Sequence, residues 1–337
     1  MTLAWSGRPT YRRPITMSLL EVDALHIHFG NTPVVTDVSL RLDAGRTLCL
    51  VGESGCGKSV TALSLARLLP VPPARYAGGS IRVDGVDVLA ASPDQLRSLR
   101  GGTMSYVFQE PGNSLNPTHR VGQQILESLK LHRPDRAREN EVVRLLARVG
   151  IASPAERARD YPHQLSGGMQ QRVMIAMALA SEPRLLIADE PTTALDVTIQ
   201  AQILELLRDI QRQEAMGILL ITHNLALVAD FADDLAVMYA GEIVEEGPAK
   251  EVLAHPRHPY TRALIASVPA PGRTSSRLKG IPGSVPLPGR WSTGCRFADR
   301  CEQVQDACRA AHPNWTSRTE SGRVRCPYGA GDGAASP

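Results

Sequence analysis

The sequence lacks long apolar runs and a strong net charge of either sign. In 337 residues no run approaches the roughly 18–20 apolar residues that a membrane-spanning helix needs, so we expect the chain itself not to cross a bilayer. Its 37 Lys and Arg residues against 34 Asp and Glu residues give a net charge of +3, and the two signs are interspersed. Because a dedicated nucleic-acid binder has a stronger basic excess or a basic stripe, we expect no nucleic-acid partner.

A secretion signal and an internal repeat are also missing. Residues 1–14 contain arginines but no apolar segment before a cleavage site, so we expect the chain to remain in the cytoplasm. In that compartment the six cysteines are not expected to form structural disulfides. The chain carries one copy of its main domain, and its length favours two domains, or three at most.

Short apolar segments alternate with amphipathic ones over the first two-thirds of the chain, which is typical of an α/β fold whose strands are joined by helices. Between residues 113 and 180 helical patterns outnumber strands, which predicts a helical subdomain inserted between two strands of the main sheet. The individual predictions are strands at 48–51, 104–108, 184–188 and 217–221, and helices at 59–69, 125–131, 142–149 and 198–211.

The composition changes after residue 253. From residue 256 onward prolines recur, and four of the six cysteines lie in this part. Proline is unfavourable in helix interiors and in central strands. We therefore predict an N-terminal extension without fixed structure at 1–18, a main α/β domain at 19–255, and a proline- and cysteine-rich C-terminal extension at 256–337.

A glycine-rich segment at residues 52–59, which we name the phosphate loop, fits the pattern G-x-x-x-x-G-K-[ST]. It lies between a predicted strand and a predicted helix. Its glycines let backbone N–H groups turn toward phosphate oxygens, and the helix start presents its positive dipole end to the same anion. Lys58 is predicted to reach the β- and γ-phosphates of ATP, and Ser59 to bind Mg²⁺. The alternative, an ordinary glycine-rich turn, does not account for the flanking strand and helix. The predicted phosphate-binding residues are Gly52, Ser54, Gly55, Cys56, Gly57, Lys58, Ser59 and Val60.

The apolar strand at 184–188 leads into two carboxylates, Asp189 and Glu190. The C-terminal end of a buried strand is the expected place for a metal ligand and for a base that polarises water. We predict that Asp189 binds Mg²⁺ and that Glu190 activates the attacking water. Two solvated acids at a strand end are the alternative, which the nearby phosphate loop disfavours.

The segment Leu165-Ser166-Gly167-Gly168-Met169-Gln170-Gln171-Arg172 opens a long predicted helix and forms a second anion-binding helix N-terminus. One phosphate chain does not obviously need two such sites from one subunit. The segment resembles the LSGGQ-like signature of the ATP-binding cassette (ABC) ATPases. The resemblance implies that Ser166, Gly167 and Gly168 cap the γ-phosphate bound by an opposing subunit.

Other positions match ABC elements in the same order. The resemblance makes Gln109 a sensor of Mg²⁺ and water that also contacts the membrane partner, and His223 the switch histidine at the γ-phosphate. Asp196, in Ala194-Leu195-Asp196, resembles a residue of the loop at the dimer interface, and Phe29 takes the place of the aromatic that stacks on adenine. The predicted catalytic residues are thus Glu190, His223 and Gln109, and the predicted Mg²⁺ ligands are Ser59, Gln109 and Asp189.

Three further segments, 109–117, 240–247 and 258–264, resemble the ATPases of the dipeptide/oligopeptide and nickel importers. The likeness extends over roughly residues 19–328. It implies an ATP-hydrolysing subunit, peripheral on the cytoplasmic face of the cell membrane, that powers import of peptides or a related solute. The implied partners are two separate permease subunits, a second ABC ATPase that is more often a paralogue than an identical copy, and indirectly a solute-binding protein.

The C-terminal cysteines Cys295, Cys301, Cys308 and Cys326 have the spacing C-x₅-C-x₆-C-x₁₇-C. Four thiolates suit either Zn²⁺ or an iron–sulfur cluster, and the paired C-x₂-C of common zinc sites is absent. The tails of the related importers carry the same pattern, which is associated with a [4Fe–4S] cluster. The resemblance therefore implies a [4Fe–4S] cluster, with Zn²⁺ or unlinked thiols as the alternatives.

Two other functions compete with transport. A soluble ABC ATPase of DNA repair or with a mechanical role could carry cysteine metal sites, but the single cassette, the lack of coiled-coil arms and the near-neutral charge count against it. A non-catalytic regulatory subunit is disfavoured because Lys58, Glu190 and His223 are all present.

Overall fold

The structure is a computed structural model that describes residues 18–192, 195–267, 280–319 and 322–328. Nearly all of the predicted N-terminal extension lies outside these ranges, and the first strand begins at Ser18. The strands are β1 Ser18–Phe29, β2 Thr32–Asp43, β3 Thr47–Val51, β4 Ala74–Val83, β5 Val86–Asp87, β6 Met104–Val107, β7 Leu185–Asp189, β8 Gly217–Thr222, β9 Asp234–Tyr239, β10 Glu242–Pro248, β11 Thr316–Thr319 and β12 Gly322–Val324.

The strands form two sheets, and the larger one positions the site. The smaller sheet is antiparallel, with the order β2-β1-β4-β5, and the larger has the order β11-β12-β10-β9-β3-β8-β7-β6. Strands β9, β3, β8, β7 and β6 are mutually parallel. Because the carboxyl ends of parallel strands meet at one edge, the residues after β3, β6, β7 and β8 are brought together there. The predicted α/β fold is confirmed.

The central strands are buried on both faces, which explains their unbroken apolar sequences. Alternate residues of β3 face opposite sides of the sheet. Leu48 and Leu50 belong to the core shared with the smaller sheet, whereas Cys49 and Val51 belong to the core beneath the helices. The observed bounds of β3, β6 and β8 differ from the predicted ones by one residue at one end, and those of β7 by one residue at each end.

The helices join the strands, and a run of consecutive helices lies between β6 and β7. Four of the longer helices lie at or near the predicted positions, and the helix after the phosphate loop ends four residues early, at Leu65. The helices are α1 Lys58–Leu65, α2 Pro93–Ser98, α3 Pro111–Ser114, α4 Val121–His132, α5 Glu139–Arg148, α6 Pro154–Arg157, α7 Gly167–Leu179, α8 Val197–Glu214, α9 Leu225–Phe231, α10 Ala249–Ala254, α11 Pro259–Ala266 and α12 Asp306–Ala310.

The C-terminal residues contribute to the larger sheet. Strand β12 pairs antiparallel with β10, with Val324 opposite Glu245, and β11 completes a two-stranded addition. These strands lie at the edge of the sheet, where interrupted pairing is tolerated. Helix α11 begins with Pro259, a position at which the missing N–H of proline costs nothing. The C-terminal part therefore reaches back to the main sheet instead of only wrapping around it.

Candidate nucleotide site

The glycine-rich segment forms a loop between β3 and α1. Gly52 approaches β9 so closely that a Cβ atom there would lie 2.2 Å from the Met238 carbonyl oxygen. Gly57 has φ of 110° at the N-cap of α1, a conformation that residues with a side chain rarely adopt. These two glycines explain why the turn requires this sequence, and they direct the first N–H groups of α1 toward the loop.

Lys58 places its charge beneath this loop. The side chain is buried, and its ammonium group donates hydrogen bonds to the carbonyl oxygens of Gly52 at 2.8 Å and Glu53 at 3.0 Å. The Cys56 sulfur lies 3.9 Å from the same nitrogen. Burial raises the pKa of the Cys56 thiol, so it stays neutral beside the lysine. The positive charge of the loop therefore comes from Lys58 alone among these side chains.

Asp189 ends β7 beside the phosphate loop and fits the role of a Mg²⁺ ligand. Ser59 hydrogen-bonds its carboxylate, and the Tyr106 hydroxyl donates to Oδ2 at 3.3 Å. The other oxygen, Oδ1, is buried without a hydrogen-bond partner among the described residues. Burial raises the pKa of Asp189, while the hydrogen bonds from Ser59 and Tyr106 oppose that rise. A hydroxyl next to a carboxylate with an unpaired oxygen is a donor set that suits Mg²⁺.

The three predicted catalytic residues meet at one carboxylate oxygen. Gln109 Nε2 donates to Glu190 Oε2 at 3.0 Å, and His223 Nδ1 lies 3.1 Å from the same oxygen. The Glu190 side chain is 15% exposed, whereas that of His223 is 59% exposed, so the carboxylate has limited contact with water. Glu190 has φ of 47°, and its N–H is held by the Ile221 carbonyl of β8. A carboxylate held in this way is suited to accept a proton from a water molecule.

The signature segment forms the N-terminus of α7, as predicted. Ser166 is the N-cap, and its hydroxyl accepts a hydrogen bond from the Met169 N–H at 3.4 Å. Ser166 and Gly167 are exposed. Within the described ranges, no hydrogen bond joins Ser166, Gly167 or Gly168 to the phosphate loop. The chain thus exposes the N-terminus of α7, where the sequence predicts an anion-binding site.

The structure also places the other residues that are predicted to contact a nucleotide or the dimer interface. Asp196 is the N-cap of α8, because its Oδ1 accepts from the Ile199 N–H at 2.9 Å, while Ala194 lies outside the described residues. Phe29 ends β1 and is 37% exposed. Ser54 and Gly55 are exposed on the loop, and Val60 is half-buried in α1. Their contacts with a nucleotide remain predictions.

The four C-terminal cysteines line one small cavity together with His258 and Tyr328. Its volume is about 20 Å³, which is room for one water or ion. Burial raises the pKa of Cys295 to about 11, and it also raises the pKa of Cys301. Over the ranges that the structure describes, no three His, Cys, Asp or Glu side chains lie close enough to hold one metal ion. The described side chains therefore do not form a complete ligand set for the predicted [4Fe–4S] cluster or for Zn²⁺.

Two family descriptions match the chain. Residues 35–193 match the ABC transporter family, and residues 244–308 match the C-terminal region of oligopeptide/dipeptide transporters. The dipeptide transport ATP-binding protein DppD of Haemophilus influenzae is 47% identical over 92% of this chain and 95% of its own length. The chain belongs to the ABC transporter family, as an ATP-binding subunit with the dipeptide/oligopeptide type of C-terminal region.

Further relatives and solved structures agree with this assignment. A protein of Brucella ovis named as a peptide import ATP-binding protein is 50% identical over 87% of this chain and 90% of its own length. The structure of cbiO1 from Clostridium perfringens, part of the ABC transporter complex cbiONQ, covers 70% of this chain and 91% of its own, with a TM-score of 0.62 and 28% identity. The cassette MJ0796, a dimer with ADP and phosphate, shares the fold at a TM-score of 0.60 and 24% identity over 68% of this chain and 99% of its own.

Membership of this family makes the chain an ATPase subunit associated with membrane partners. No helix in the described ranges has both the length and the apolar character to span a membrane.

Tyr106 was not predicted from the sequence as a site residue, because a tyrosine in a buried strand belongs to no motif. Its hydroxyl and that of Ser59 both form hydrogen bonds with the Asp189 carboxylate. Burial and the Asp189 charge raise the pKa of Tyr106, so its hydroxyl stays protonated and donates to the carboxylate.

Proposed function

We propose that the chain hydrolyses ATP on the cytoplasmic face of the cell membrane to power import of peptides through separate permease subunits. The observation that supports ATP hydrolysis is that Gln109 and His223 both contact Glu190. Lys58 and Asp189 lie next to this group. Peptide as the cargo is supported by the names of the relatives that match nearly the whole chain. Proteoliposomes containing the chain and its permeases should take up a labelled dipeptide only with ATP. Uptake without ATP, or hydrolysis without uptake of any peptide, would contradict the proposal.

In the proposed mechanism each side chain has one task. Lys58 and the N–H groups of the loop bind the β- and γ-phosphates, and Ser59 and Asp189 hold Mg²⁺, which neutralises phosphate charge when it is bound. Glu190 accepts the proton of the attacking water, while Gln109 and His223 orient its carboxylate. Ser166, Gly167 and Gly168 face outward and close over the γ-phosphate bound by a second cassette, whose equivalent helix end closes over the γ-phosphate bound here. The second cassette is proposed to be a paralogue.

A cavity beside Gln109 is the proposed docking place for a permease. It has a volume of about 520 Å³ and lies between β6 and the helices α4 and α7, lined by Phe108, Ser128, His132 and Met177 among others. Phe108, at its edge, is 41% exposed and immediately precedes Gln109. A permease segment that binds here would therefore contact Phe108, the neighbour in sequence of the residue that contacts Glu190. We propose two permease subunits for a pair of cassettes.

Leu68→Asp is expected to weaken assembly with the permeases. Leu68 lines the cavity and is 38% exposed, so a charge there costs the chain little but opposes burial of an apolar partner. We expect at least about tenfold weaker co-purification with the permeases and an unchanged Kd for ATP. Leu287→Asp, at a leucine that is 63% exposed outside this cavity, is the matched control. Equal assembly of both variants would contradict this docking place.

We propose that the proline- and cysteine-rich extension at 256–337 binds a [4Fe–4S] cluster through Cys295, Cys301, Cys308 and Cys326. The support is that all four sulfur-bearing side chains line one cavity. The cavity has room for about one ion, so either a cuboidal cluster or Zn²⁺ would require the cysteine side chains to rearrange. Nothing in ATP hydrolysis requires an electron, so the proposed role is structural.

Cys301→Ser tests the cluster. Anaerobically purified chain is expected to be brown, with broad absorption near about 400 nm and about four irons per chain, and the variant is expected to lose both. Protease should then cleave the C-terminal part of the variant faster, because the segment depends on its ligand for order. Cys49→Ser, at a cysteine buried in the main core, should keep the colour. Colourless chain with one zinc would replace the cluster by Zn²⁺, and metal-free chain would exclude both.

A further inference from the structure

Glu53 occupies a position of the phosphate loop that the motif leaves free, yet its side chain is held by a distant part of the chain. Arg300 Nη1 donates to Oε2 at 2.7 Å, and Nη2 donates to Oε1 at 2.9 Å. The two side chains are 6% and 27% exposed, Arg300 being the more buried. A bidentate pair shielded from water is stronger and more directional than an exposed ion pair.

The backbone of Glu53 is held as well. Its N–H donates to the Tyr260 hydroxyl at 2.8 Å, and its carbonyl oxygen accepts from Lys58 Nζ at 3.0 Å. Glu53 is thus fixed at its N–H by α11, at its carboxylate by the residue before Cys301, and at its carbonyl by the phosphate-binding lysine. A direct line of contacts runs from the C-terminal residues to Lys58.

Both anchors are themselves held by further contacts. Arg300 Nε donates to the Pro282 carbonyl at 2.7 Å, which fixes the guanidinium from the other side. The Tyr260 side chain is fully buried, and its ring lies 4.6 Å from that of Tyr239 and 5.4 Å from that of Phe297, between centroids. The Arg300 N–H donates to the Phe297 carbonyl at 3.0 Å, so a hydrogen bond joins the arginine directly to the aromatic group.

We propose that Arg300 and Tyr260 are positioning residues for nucleotide binding, which hold the phosphate loop and Lys58 in the ATP-binding conformation through Glu53. A glycine-rich loop loses conformational freedom when it closes around phosphates. Contacts that fix the loop beforehand reduce this loss and strengthen binding without touching the ligand. The C-terminal part thus has a task in ATP binding by the same chain, which rests on the ATP site proposed above and goes beyond transport.

The test measures the Kd of a fluorescent ATP analogue with Mg²⁺ on the full-length chain, which needs neither permease nor peptide. Arg300→Gln and Glu53→Gln are each expected to raise the Kd about tenfold, since each removes the same charge-assisted pair. The double variant is expected to match the single ones, because the pair is already lost in each. Tyr260→Phe removes only the hydroxyl and should raise the Kd about threefold.

Arg309→Gln is the matched control. Arg309 pairs with Asp299 in the same segment, but both side chains are more than half exposed and neither touches the loop. Its Kd should equal that of the unaltered chain, while Arg300→Lys, which keeps the charge, should recover part of the lost affinity.

A lower melting temperature of Arg300→Gln with an unchanged Kd would show that the pair only stabilises the fold, and it would overturn the proposal. A double variant with about a hundredfold loss would show independent effects and would overturn it as well. If Arg300→Gln does not yield folded chain, the decision falls to Glu53→Gln and Tyr260→Phe, and an unchanged Kd in both overturns the proposal.

Discussion

Glu190→Gln is expected to lower ATP turnover by at least about a hundredfold while leaving MgATP binding intact. The amide has nearly the same size and can still bond Gln109 and His223, which both contact Oε2 of the native carboxylate. It cannot accept the proton of the attacking water. Lys58 and Asp189 are unaffected, so the variant should accumulate as a dimer with ATP trapped between its subunits. Release of phosphate under single-turnover conditions measures the loss directly.

Glu205→Gln is the matched control for this prediction. Glu205 is an exposed glutamate on α8, away from the nucleotide site, and loses the same charge on substitution. Turnover of this variant should stay within about twofold of the unaltered chain. Near-normal hydrolysis by Glu190→Gln would mean that another group accepts the proton, whatever the control shows.

The sequence predicts the parallel core well because its signals are local. Strands such as β7 and β8 are mostly apolar, and the polar residues Asp189, which ends β7, and His223, which follows β8, mark the edge where the site forms. Once the strands are known to be parallel, Gln109, Glu190 and His223 must converge at that edge. The observed contacts at one oxygen of Glu190 follow from the topology.

The contacts that the sequence did not predict join residues far apart in the chain. Arg300 reaches Glu53 across 247 positions, and nothing in the pattern around either residue indicates the pair. The edge pairing of β12 with β10 was missed for a related reason. Proline content argues locally against strands, whereas a free sheet edge, which tolerates short and interrupted strands, is a property of the whole fold.

Ser166→Arg is expected to abolish hydrolysis at the opposing site of the assembled transporter, by at least about a hundredfold, without weakening ATP binding to the isolated chain. The side chain of Ser166 is exposed at the N-terminus of α7 and makes no hydrogen bond to the chain's own phosphate loop within the described residues. A bulky cation there displaces the γ-phosphate of the opposing site from the N–H groups of the helix. Binding and catalysis should therefore separate between two chains.

Loss of the helix cap must be distinguished from loss of the ATP site that two cassettes form together, because Ser166 also accepts a hydrogen bond from the Met169 N–H. Ser92→Arg is the matched control, since Ser92 caps the exposed start of α2 in the same way, from the Gln95 N–H at 3.3 Å. Both variants should lose about 1 kcal/mol of stability, but only Ser166→Arg should stop hydrolysis. An isolated monomer that hydrolyses ATP at the full rate of the assembled transporter would show that one chain holds a complete site, because no opposing α7 could then contribute.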